Sequence, residues 1–309
     1  MSVTIRPGRD ADAAGFEALI RACWAEYPSI VFDPDELPEL GALAAYYANA
    51  GGALWAAEDA GGRIVGMIAT RPDRDGAFEI CRLYVDCAQR GTGLAARLLA
   101  LAEAHARAPR LVLWSDTRFT RAHRFYEKHS FLRAGPIRAL DDRSHSLEFF
   151  YARPREGVVA LDAAAAASAV TRLAALDPGA EAPWRAAATA RAEGRAMLLV
   201  AYAEATLAGA LRLDLGFPSA APHRAVLTRL IVAPGFRRRG LARALLAGAE
   251  AAARSAGRSL LTAETAEAGA VLRACGWREA GRIPGAGADG ADLAILYRPL
   301  SDATPAAAG

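Results

Sequence analysis

Hydrophobic residues recur with two different periods along the chain, and the periods alternate from segment to segment. Leu94, Leu98 and Leu101 have the spacing of one helix face, which predicts a helix over residues 93–107. The apolar segment RLVLWSD that follows is typical of a buried strand. Earlier, ALWAAED and RIVGMIATR flank a glycine-rich turn at residues 60–62, which predicts a β-hairpin. The chain therefore combines helices with strands.

The first half contains ten predicted elements, assigned from these periods and from turn signals. They are a strand at 3–6, helices at 12–25 and 39–48, strands at 53–59, 63–71 and 76–86, a helix at 93–107, a strand at 110–116, a helix at 120–128 and a strand at 147–153.

The second half repeats this order with few changes, which indicates an internal duplication. Its predicted elements are a strand at 158–161, a helix at 164–176, strands at 196–202, 206–215 and 223–233, a helix at 240–256, a strand at 259–265, a short helix at 268–274 and a strand at 293–300.

The repeat and the length of 309 residues predict two tandem domains. Each is expected to be of the α/β (α+β) class, with a mixed, mainly antiparallel sheet and helices on both faces. We place the domains at residues 1–154 and 158–300, and we expect residues 301–309 to form a disordered tail. A monomer with pseudo-dimeric domains and a homodimer both remain open.

Composition and charge limit the cellular compartment and the binding partners that we expect for the protein. A formal net charge of +3 is too small to indicate nucleic-acid binding. The four cysteines lack C-x-x-C spacing and the histidines form no cluster, so we expect free thiols and no metal site. No apolar run reaches the roughly 18 residues needed to span a membrane, and the first ten residues lack an apolar signal region. We therefore expect a cytoplasmic protein with no membrane partner.

Two equivalent loops carry the strongest candidate chemistry. Each joins a strand to a helix and contains R-x-x-G-x-A, so backbone N–H groups and the helix dipole favour an anion there, and small residues let a pyrophosphate approach. The same residues also suit a tight turn under an ordinary helix. The loops consist of Arg90, Gly91, Thr92, Gly93, Leu94 and Ala95, and of Arg237, Arg238, Arg239, Gly240, Leu241 and Ala242.

A dinucleotide-binding fingerprint is the competing interpretation of the first loop. Residues 91–96 satisfy G-x-G-x-x-A, and Asp116 ends the next strand at a suitable distance. The second loop argues against this interpretation, because Arg238 stands at the position of Gly91. Three strands and two helices also precede the strand that leads into the first loop, whereas a Rossmann domain would begin with that strand and loop.

The element order and both loops, together with AHRFYEKHSF after the fifth strand, resemble the GNAT acyltransferase superfamily. The resemblance covers nearly the whole chain, twice. It implies acetyl-CoA as the cofactor, with its pyrophosphate at the loops and its pantetheine arm along the preceding strand. Phe119 stands where the family often has asparagine. The implied strand positions are Leu83, Tyr84 and Val85 in the first half and Leu230, Ile231 and Val232 in the second.

Three side chains of the first half are candidates for catalysis. The resemblance implies that Tyr126 protonates the departing thiolate, although the ring could instead pack its helix on the sheet. Glu79 shares one side of its strand with Cys81 and Leu83 by alternation, where it could be a base or an ordinary solvated carboxylate. Asp116 ends the fifth strand and either recognises the substrate amine or caps the following helix.

The second half lacks both the candidate acid and the candidate base. Leu272 aligns with Tyr126 and Val226 aligns with Glu79. HRAVLTRLIVAPGFRRRGLARALL and GRIPGAG nevertheless resemble the tabtoxin-resistance acetyltransferases, a GNAT branch acting on an amino-acid-like toxin, although Leu272 replaces the tyrosine of that branch. We expect a degenerate or differently catalysing copy that could still bind acetyl-CoA.

The expected function is an acetyl-CoA-dependent N-acetyltransferase acting on a primary amine of a small molecule, with the first domain as the catalyst. The alternatives are a non-catalytic acyl-CoA-binding or regulatory protein and an acetyltransferase that modifies a protein amine. Tyr126 and Glu79 favour an enzyme, because a pure binding protein needs no proton donor. An antibiotic, an amino acid and a polyamine all remain open as substrates.

Overall fold

The computed structural model describes residues 3–215, 221–287 and 290–300. The predicted disordered tail lies outside these described residues. The chain divides into two compact units. The first contains the chain up to Tyr126 together with Arg133–Arg155, and the second contains Glu127–Leu132 together with the chain from Glu156 onward.

The first sheet has eight strands, and four helices accompany it in the chain. The strands are β1 (Val3–Pro7), β2 (Ala53–Asp59), β3 (Ile64–Pro72), β4 (Phe78–Val85), β5 (Arg110–Asp116), β6 (Leu132–Arg133), β7 (Arg138–Ala139) and β8 (Leu147–Pro154). The helices are α1 (Ala13–Trp24), α2 (Leu43–Asn49), α3 (Leu94–Ala106) and α4 (Thr120–Lys128).

Helices cover both faces of the first sheet. Phe16 of α1 and Leu43 of α2 belong to one buried cluster with Met67 of β3. The neighbouring residue of that strand, Gly66, faces the other way, where a Cβ atom would lie 3.2 Å from Leu94 and Leu98 of α3. The absence of a side chain at Gly66 therefore lets α3 approach the sheet closely.

In the described part of the second half, the second sheet has seven strands and is accompanied by four more helices. The strands are β9 (Gly157–Ala160), β10 (Ala196–Ala203), β11 (Thr206–Asp214), β12 (Arg224–Val232), β13 (Leu260–Thr265), β14 (Arg278–Ile283) and β15 (Leu293–Pro299). The helices are α5 (Ala163–Leu176), α6 (Glu181–Ala192), α7 (Leu241–Ser255) and α8 (Gly269–Ala274).

The two sheets have the same strand order. The first runs β1-β2-β3-β4-β5-β8-β6, with β7 paired to β8, and the second runs β9-β10-β11-β12-β13-β15-β14. Only β4 with β5 and β12 with β13 pair in parallel among the strand pairs described. The predicted fold class, two mixed and mainly antiparallel sheets with helices on both faces, is confirmed.

Side chains on the two faces of β10 belong to two different buried clusters of the second unit. Leu198 and Val200 belong to a buried cluster with Trp184 of α6, whereas Leu199 and Ala201 belong to the cluster that contains α7. Successive side chains of a strand point to opposite faces, so one strand contributes to two cores.

Some elements were not predicted. Helix α6 was missed because Trp184 is its only large apolar residue, and the rest of its buried side comes from alanines. The short strands β6, β7 and β14 were missed as well. The second helix was predicted to begin at residue 39, but residues Pro38–Ala42 form a 3₁₀ turn and α2 begins at Leu43.

No helix among the described residues combines the length and the apolar character needed to cross a membrane. All four cysteines are free thiols, as predicted.

Candidate active site

A gap opens in the first sheet between β4 and β5. The two strands pair only through Phe78 with Leu111 and Glu79 with Val112. Further along, β4 contains a bulge at which the register to β3 shifts, and Arg82 there has a positive φ of 52°. A bulge bends a strand and changes the direction of its side chains. This bulge lies just beyond the last residue pair that joins β4 to β5.

The bulge also changes which residues of β4 share a side. Cys81 and Tyr84 both pack against the cluster formed with α1 and α2, although an odd number of positions separates them. Strict alternation had predicted that Glu79, Cys81 and Leu83 lie on one side. That prediction is wrong beyond Cys81, because the extra residue at Arg82 inverts the alternation after it.

The gap contributes to a cavity of about 440 Å³ in the first unit. Its walls come from β4, the end of β5 and α4, from residues of α1, α2 and β3, and from two segments at residues 30–39 and 138–148. The predicted residues Glu79, Leu83, Tyr84, Asp116 and Tyr126 all line it.

Tyr126 lies on α4 and is only 7% exposed. Its ring centroid is 6.0 Å from that of Tyr151 on β8. Burial raises the pKa of Tyr126, and the neighbouring Tyr84, Cys81 and Tyr151 raise it further. The hydroxyl therefore carries its proton at neutral pH.

Tyr84 brings a second hydroxyl to the same cavity. Trp24 of α1 donates a hydrogen bond from Nε1 to the Tyr84 hydroxyl over 3.0 Å. Because Trp24 is the donor, the proton of Tyr84 is not used in this bond. This contact could not be predicted, since the two residues are far apart in the chain.

Glu79 is paired with an arginine. Arg71 on β3 donates from Nε and Nη2 to Oε2 of Glu79, over 2.8 and 2.7 Å. Burial lowers the pKa of Arg71, but the charge of Glu79 and its hydrogen bond outweigh this effect and raise it overall. The role of Glu79 as a base stays a prediction, and the pairing means that its carboxylate is already engaged.

Asp116 organises the turn before α4. Its carboxylate accepts the backbone N–H of Arg118 over 2.8 Å and the guanidinium of Arg118 over 2.8 and 2.6 Å. Burial raises the pKa of Asp116, but these hydrogen bonds lower it overall. In the second unit the hydroxyl of Thr265 accepts the N–H of Ala268, the residue before α8, over 2.8 Å.

Two arginines at equivalent bulges were not identified from the sequence. Arg82 of β4 forms an ion pair with Glu39, and Arg229 of β12 forms one with Asp177. Each acid lies between the first and second helices of its unit. The shared letters RL in CRLYV and TRLIV were the available signal.

The predicted phosphate loop of the first unit leads directly into α3. Gly91 and Gly93 have positive φ angles of 77° and 85°, a conformation that side chains disfavour. A Cβ atom built on either glycine would meet nothing within 4 Å. The loop is therefore open on this side, and the first N–H groups of α3 have no partner within the helix.

Arg90 of this loop is not a free cation. Its guanidinium forms a double hydrogen-bonded ion pair with Glu26, which also binds Arg121 over 2.9 Å. The backbone amides of the loop, and not Arg90, are thus the main donors available to an anion.

The second loop differs in one backbone position. Gly240 has a φ of 83°, like Gly93, but Arg238 adopts a φ of 61° where the first loop has Gly91. Arg237 donates to the carbonyl of Val232 over 3.2 Å, and Arg239 forms an ion pair with Glu204 over 2.6 Å. The second loop keeps the shape of the first at the cost of a strained arginine.

The second unit has a leucine at the position of the predicted acid. Leu272 on α8 is 0% exposed and belongs to the core. The parallel pairing of β12 with β13 covers four residue pairs, up to Leu227 with Ala263, whereas that of β4 with β5 covers two. The strands of the second unit therefore stay together for longer.

Comparison of the sequence with protein families gives a match in each unit. The model of the family described as Acetyltransferase (GNAT) family matches residues 16–131 and 168–277. The chain belongs to the GNAT acetyltransferase family. The double match also confirms that its two halves are tandem members of that family.

Solved GNAT structures share similarity with about half of the chain. An acetyltransferase of the GNAT family from Staphylococcus aureus Mu50 is 21% identical and covers 50% of this chain and 99% of its own, with a TM-score of 0.44. An acetyltransferase from Streptococcus agalactiae 2603 is 20% identical and covers 49% and 98%, with a TM-score of 0.42. A Salmonella typhimurium protein solved with its cofactor acetyl-CoA is 18% identical and covers 48% and 96%, with a TM-score of 0.41. The comparison with curated protein sequences gives no match.

GNAT acetyltransferases use acetyl-CoA, and acetyl-CoA is therefore the cofactor of this protein. The first unit suits it chemically, because the open glycine loop at the start of α3 presents backbone donors where an anionic diphosphate can approach. The individual residues that hold the cofactor stay a prediction.

Proposed function

We propose that the first unit transfers an acetyl group from acetyl-CoA to a primary amine of a small molecule, by direct attack and with Tyr126 as the general acid. The second unit is a degenerate copy that retains acetyl-CoA binding. The observation that carries the proposal is the position of Tyr126, a protonated tyrosine that lines the cavity beside the bulged strand β4.

Acyl transfer to an amine requires a neutral amine and a proton for the leaving thiolate. Acetyl-CoA supplies the acetyl thioester. Tyr126 holds a proton at Oη and donates a hydrogen bond to the sulfur as negative charge develops there. Since a thiol has a pKa of about 8.5, well below the raised pKa of Tyr126, the hydrogen bond stabilises the thiolate, and a proton transferred from Oη to the sulfur is replaced by the proton that the attacking amine releases.

The bulge of β4 contributes backbone groups to the same reaction. An extra residue in a strand leaves N–H and C=O groups out of the ladder. Leu83, Tyr84 and Val85 follow the bulge at Arg82 and are the proposed contacts for the pantetheine arm and the acetyl carbonyl. An N–H group there would stabilise an oxyanion as it forms.

The substrate amine must also lose a proton. Glu79 lines the cavity but is paired with Arg71. We propose that Glu79 acts through a water molecule, with Arg71 fixing its orientation. Asp116, which is paired with Arg118, orients the loop over the cavity and is a weaker candidate for amine recognition.

For the second unit we propose a binding role without the same acid. Its sequence resembles the tabtoxin-resistance branch, but Leu272 replaces the tyrosine and lies in the core. The loop from Arg237 to Ala242 keeps the left-handed glycine before its helix. A phosphate-binding loop without a proton donor fits cofactor binding better than catalysis.

Removal of a single oxygen tests the role of Tyr126. We expect Tyr126→Phe to lower kcat for acetyl transfer about 100-fold to 1,000-fold, as loss of a general acid does, and to leave KM for acetyl-CoA within about threefold. Thiol release in the presence of an amine measures both constants. The matched control is Tyr151→Phe, which removes the same atom from a buried neighbour that does not line the cavity.

Equal losses in both variants would indicate a packing defect and would contradict the acid role. Binding of acetyl-CoA without transfer to any small amine or protein would favour the alternative of a non-catalytic acyl-CoA-binding protein. Transfer to protein amines alone would favour a protein acetyltransferase.

A further inference from the structure

The cavity of the first unit is acidic although the chain as a whole is not. The formal net charge of the protein is +3. Among the residues that the structure describes, the walls of the cavity nevertheless contain twice as many carboxylates as guanidinium groups, and no lysine or histidine. The carboxylates are those of Glu36, Glu39, Glu79, Asp116, Asp142 and Glu148, and the guanidinium groups are those of Arg71, Arg82 and Arg138.

Every arginine of the walls is already neutralised by one of these carboxylates. Arg71 pairs with Glu79 over 2.7 Å, Arg82 pairs with Glu39, and Arg138 pairs with Glu148 over 2.6 Å. Asp116 is neutralised in turn by Arg118, over 2.6 Å. A substrate carboxylate would therefore have to compete with a protein carboxylate for any of these guanidinium groups.

Glu36 and Asp142 are the two carboxylates of the walls that remain. Glu36 accepts the backbone N–H of Arg143 over 2.7 Å, and Asp142 accepts the N–H of Ser146 over 2.7 Å. The guanidinium of Arg143 pairs with Asp33 instead. Within the part of the chain that the structure describes, no basic side chain forms an ion pair with Glu36 or Asp142. The guanidinium of Arg118, which is paired with Asp116, is the basic group whose pKa the charge of Asp142 helps to raise.

These two carboxylates lie on one wall of the cavity. The backbone N–H of Val31 donates to the hydroxyl of Ser144 over 2.8 Å, which joins the two loops that carry Glu36 and Asp142. Tyr126 and the bulged strand belong to other elements, α4 and β4. A ligand that occupies the cavity can thus have one end at Tyr126 and another at the loops.

Aromatic side chains complete the lining. Trp24, Tyr46, Tyr47 and Phe119 all belong to the walls. Aromatic faces attract cations and tolerate the methylene chains that join them. Together with two carboxylates that are not part of an ion pair, they favour a ligand with separated positive charges and apolar spacers.

We propose that the substrate of the first unit is a diamine or polyamine without a carboxylate, held by Glu36 and Asp142 through a second ammonium group while the first is acetylated. This inference rests on the proposed function and specifies its substrate class. The sequence left antibiotics, amino acids and polyamines open, and the charge pairing within the cavity selects among them.

A matched series of small amines tests this selection. We would measure kcat/KM for unbranched diamines of three to eight carbons, for the monoamines of equal length, and for ornithine, which is 1,4-diaminobutane with an added carboxylate. We expect the preferred diamine to exceed its monoamine by about tenfold or more, the effect of one charged hydrogen bond. Ornithine should fall below 1,4-diaminobutane by a similar factor.

The double variant Glu36→Gln with Asp142→Asn should reduce the ratio of diamine to monoamine to about one. The matched control is Asp35→Asn with Asp141→Asn, which changes the net charge equally at neighbouring residues that do not line the cavity. We expect the control to keep the ratio of the wild type.

The outcomes distinguish the proposed substrate class from the proposed acetyltransferase function. Acetylation of amines with no preference for a second charge at any length, or a preference that survives in the double variant, would overturn the substrate class and leave the transferase standing. A preference for ornithine would overturn it as well. Absence of transfer to every amine, with acetyl-CoA still bound, would overturn the proposed function and the substrate class with it.

Discussion

The buried hydroxyl of Tyr126 fixes the expected pH dependence of the reaction. Burial raises its pKa above the value of about 10 that tyrosine has in water, so the acid form persists while substrate amines lose their protons. We expect kcat to rise with pH and to show no decrease up to about pH 10. A pH profile at saturating substrates measures this. A decrease at pH 8 to 9 that disappears in Tyr126→Phe would contradict the assignment.

Among individual residues, those that belong to local motifs could be predicted from the sequence. Tyr126 and the glycine loop could be found because each has a fixed place after a strand and beside a helix. The ion pairs of Arg71 and Arg82 could not, because their partners depend on tertiary packing. The side on which Leu83 lies was predicted wrongly, since alternation contains no information about a bulge.

At the scale of elements, each unit contains an ion pair between a central strand, β4 or β12, and the segment between the first two helices of that unit. Arg82 and Glu39 are each 17% exposed, whereas Arg229 and Asp177 are 32% and 23% exposed. Ion pairs contribute less as exposure to water increases. The pair of the first unit should therefore be the more strongly coupled.

Two double-mutant cycles measure this difference. For Arg82→Met with Glu39→Gln we expect a coupling of about 1–2 kcal/mol in the free energy of unfolding, and for Arg229→Met with Asp177→Asn less than about 1 kcal/mol. Urea unfolding of the full chain gives both values. As a control, the exposed pair Arg21 and Glu17 on α1 should couple by less than about 0.5 kcal/mol. A larger coupling in the second unit than in the first would contradict the expectation.

Most element boundaries were predicted to within two residues, because strong periodicity and turn residues marked them. Strand β5 and helix α4 match the prediction at both ends. Helix α6 was not predicted because its alanines give little hydrophobic contrast between its two faces. Strands β6 and β7 contain two residues each and are too short for a period of hydrophobic residues to appear.

At the scale of the whole molecule, duplication was the feature most accessible from the sequence. Two halves with one element order produced two sheets with one strand order. The difference between the copies was partly accessible too, since Leu272 replaces Tyr126 in the alignment. The longer pairing of β12 with β13 was not accessible, because register is set by packing as well as by local sequence.

Division of labour between the two units is the central claim, and equivalent substitutions in the two loops test it most directly. Thr92→Glu and Arg239→Glu each place a carboxylate at the same exposed position of a predicted pyrophosphate loop. Like charges brought together in a binding site cost several kcal/mol. The measurement is kcat/KM for acetyl-CoA at a saturating concentration of the preferred amine. We predict a loss of at least about 100-fold in Thr92→Glu and a change of less than about threefold in Arg239→Glu. The reverse pattern would show that the second unit is the catalyst.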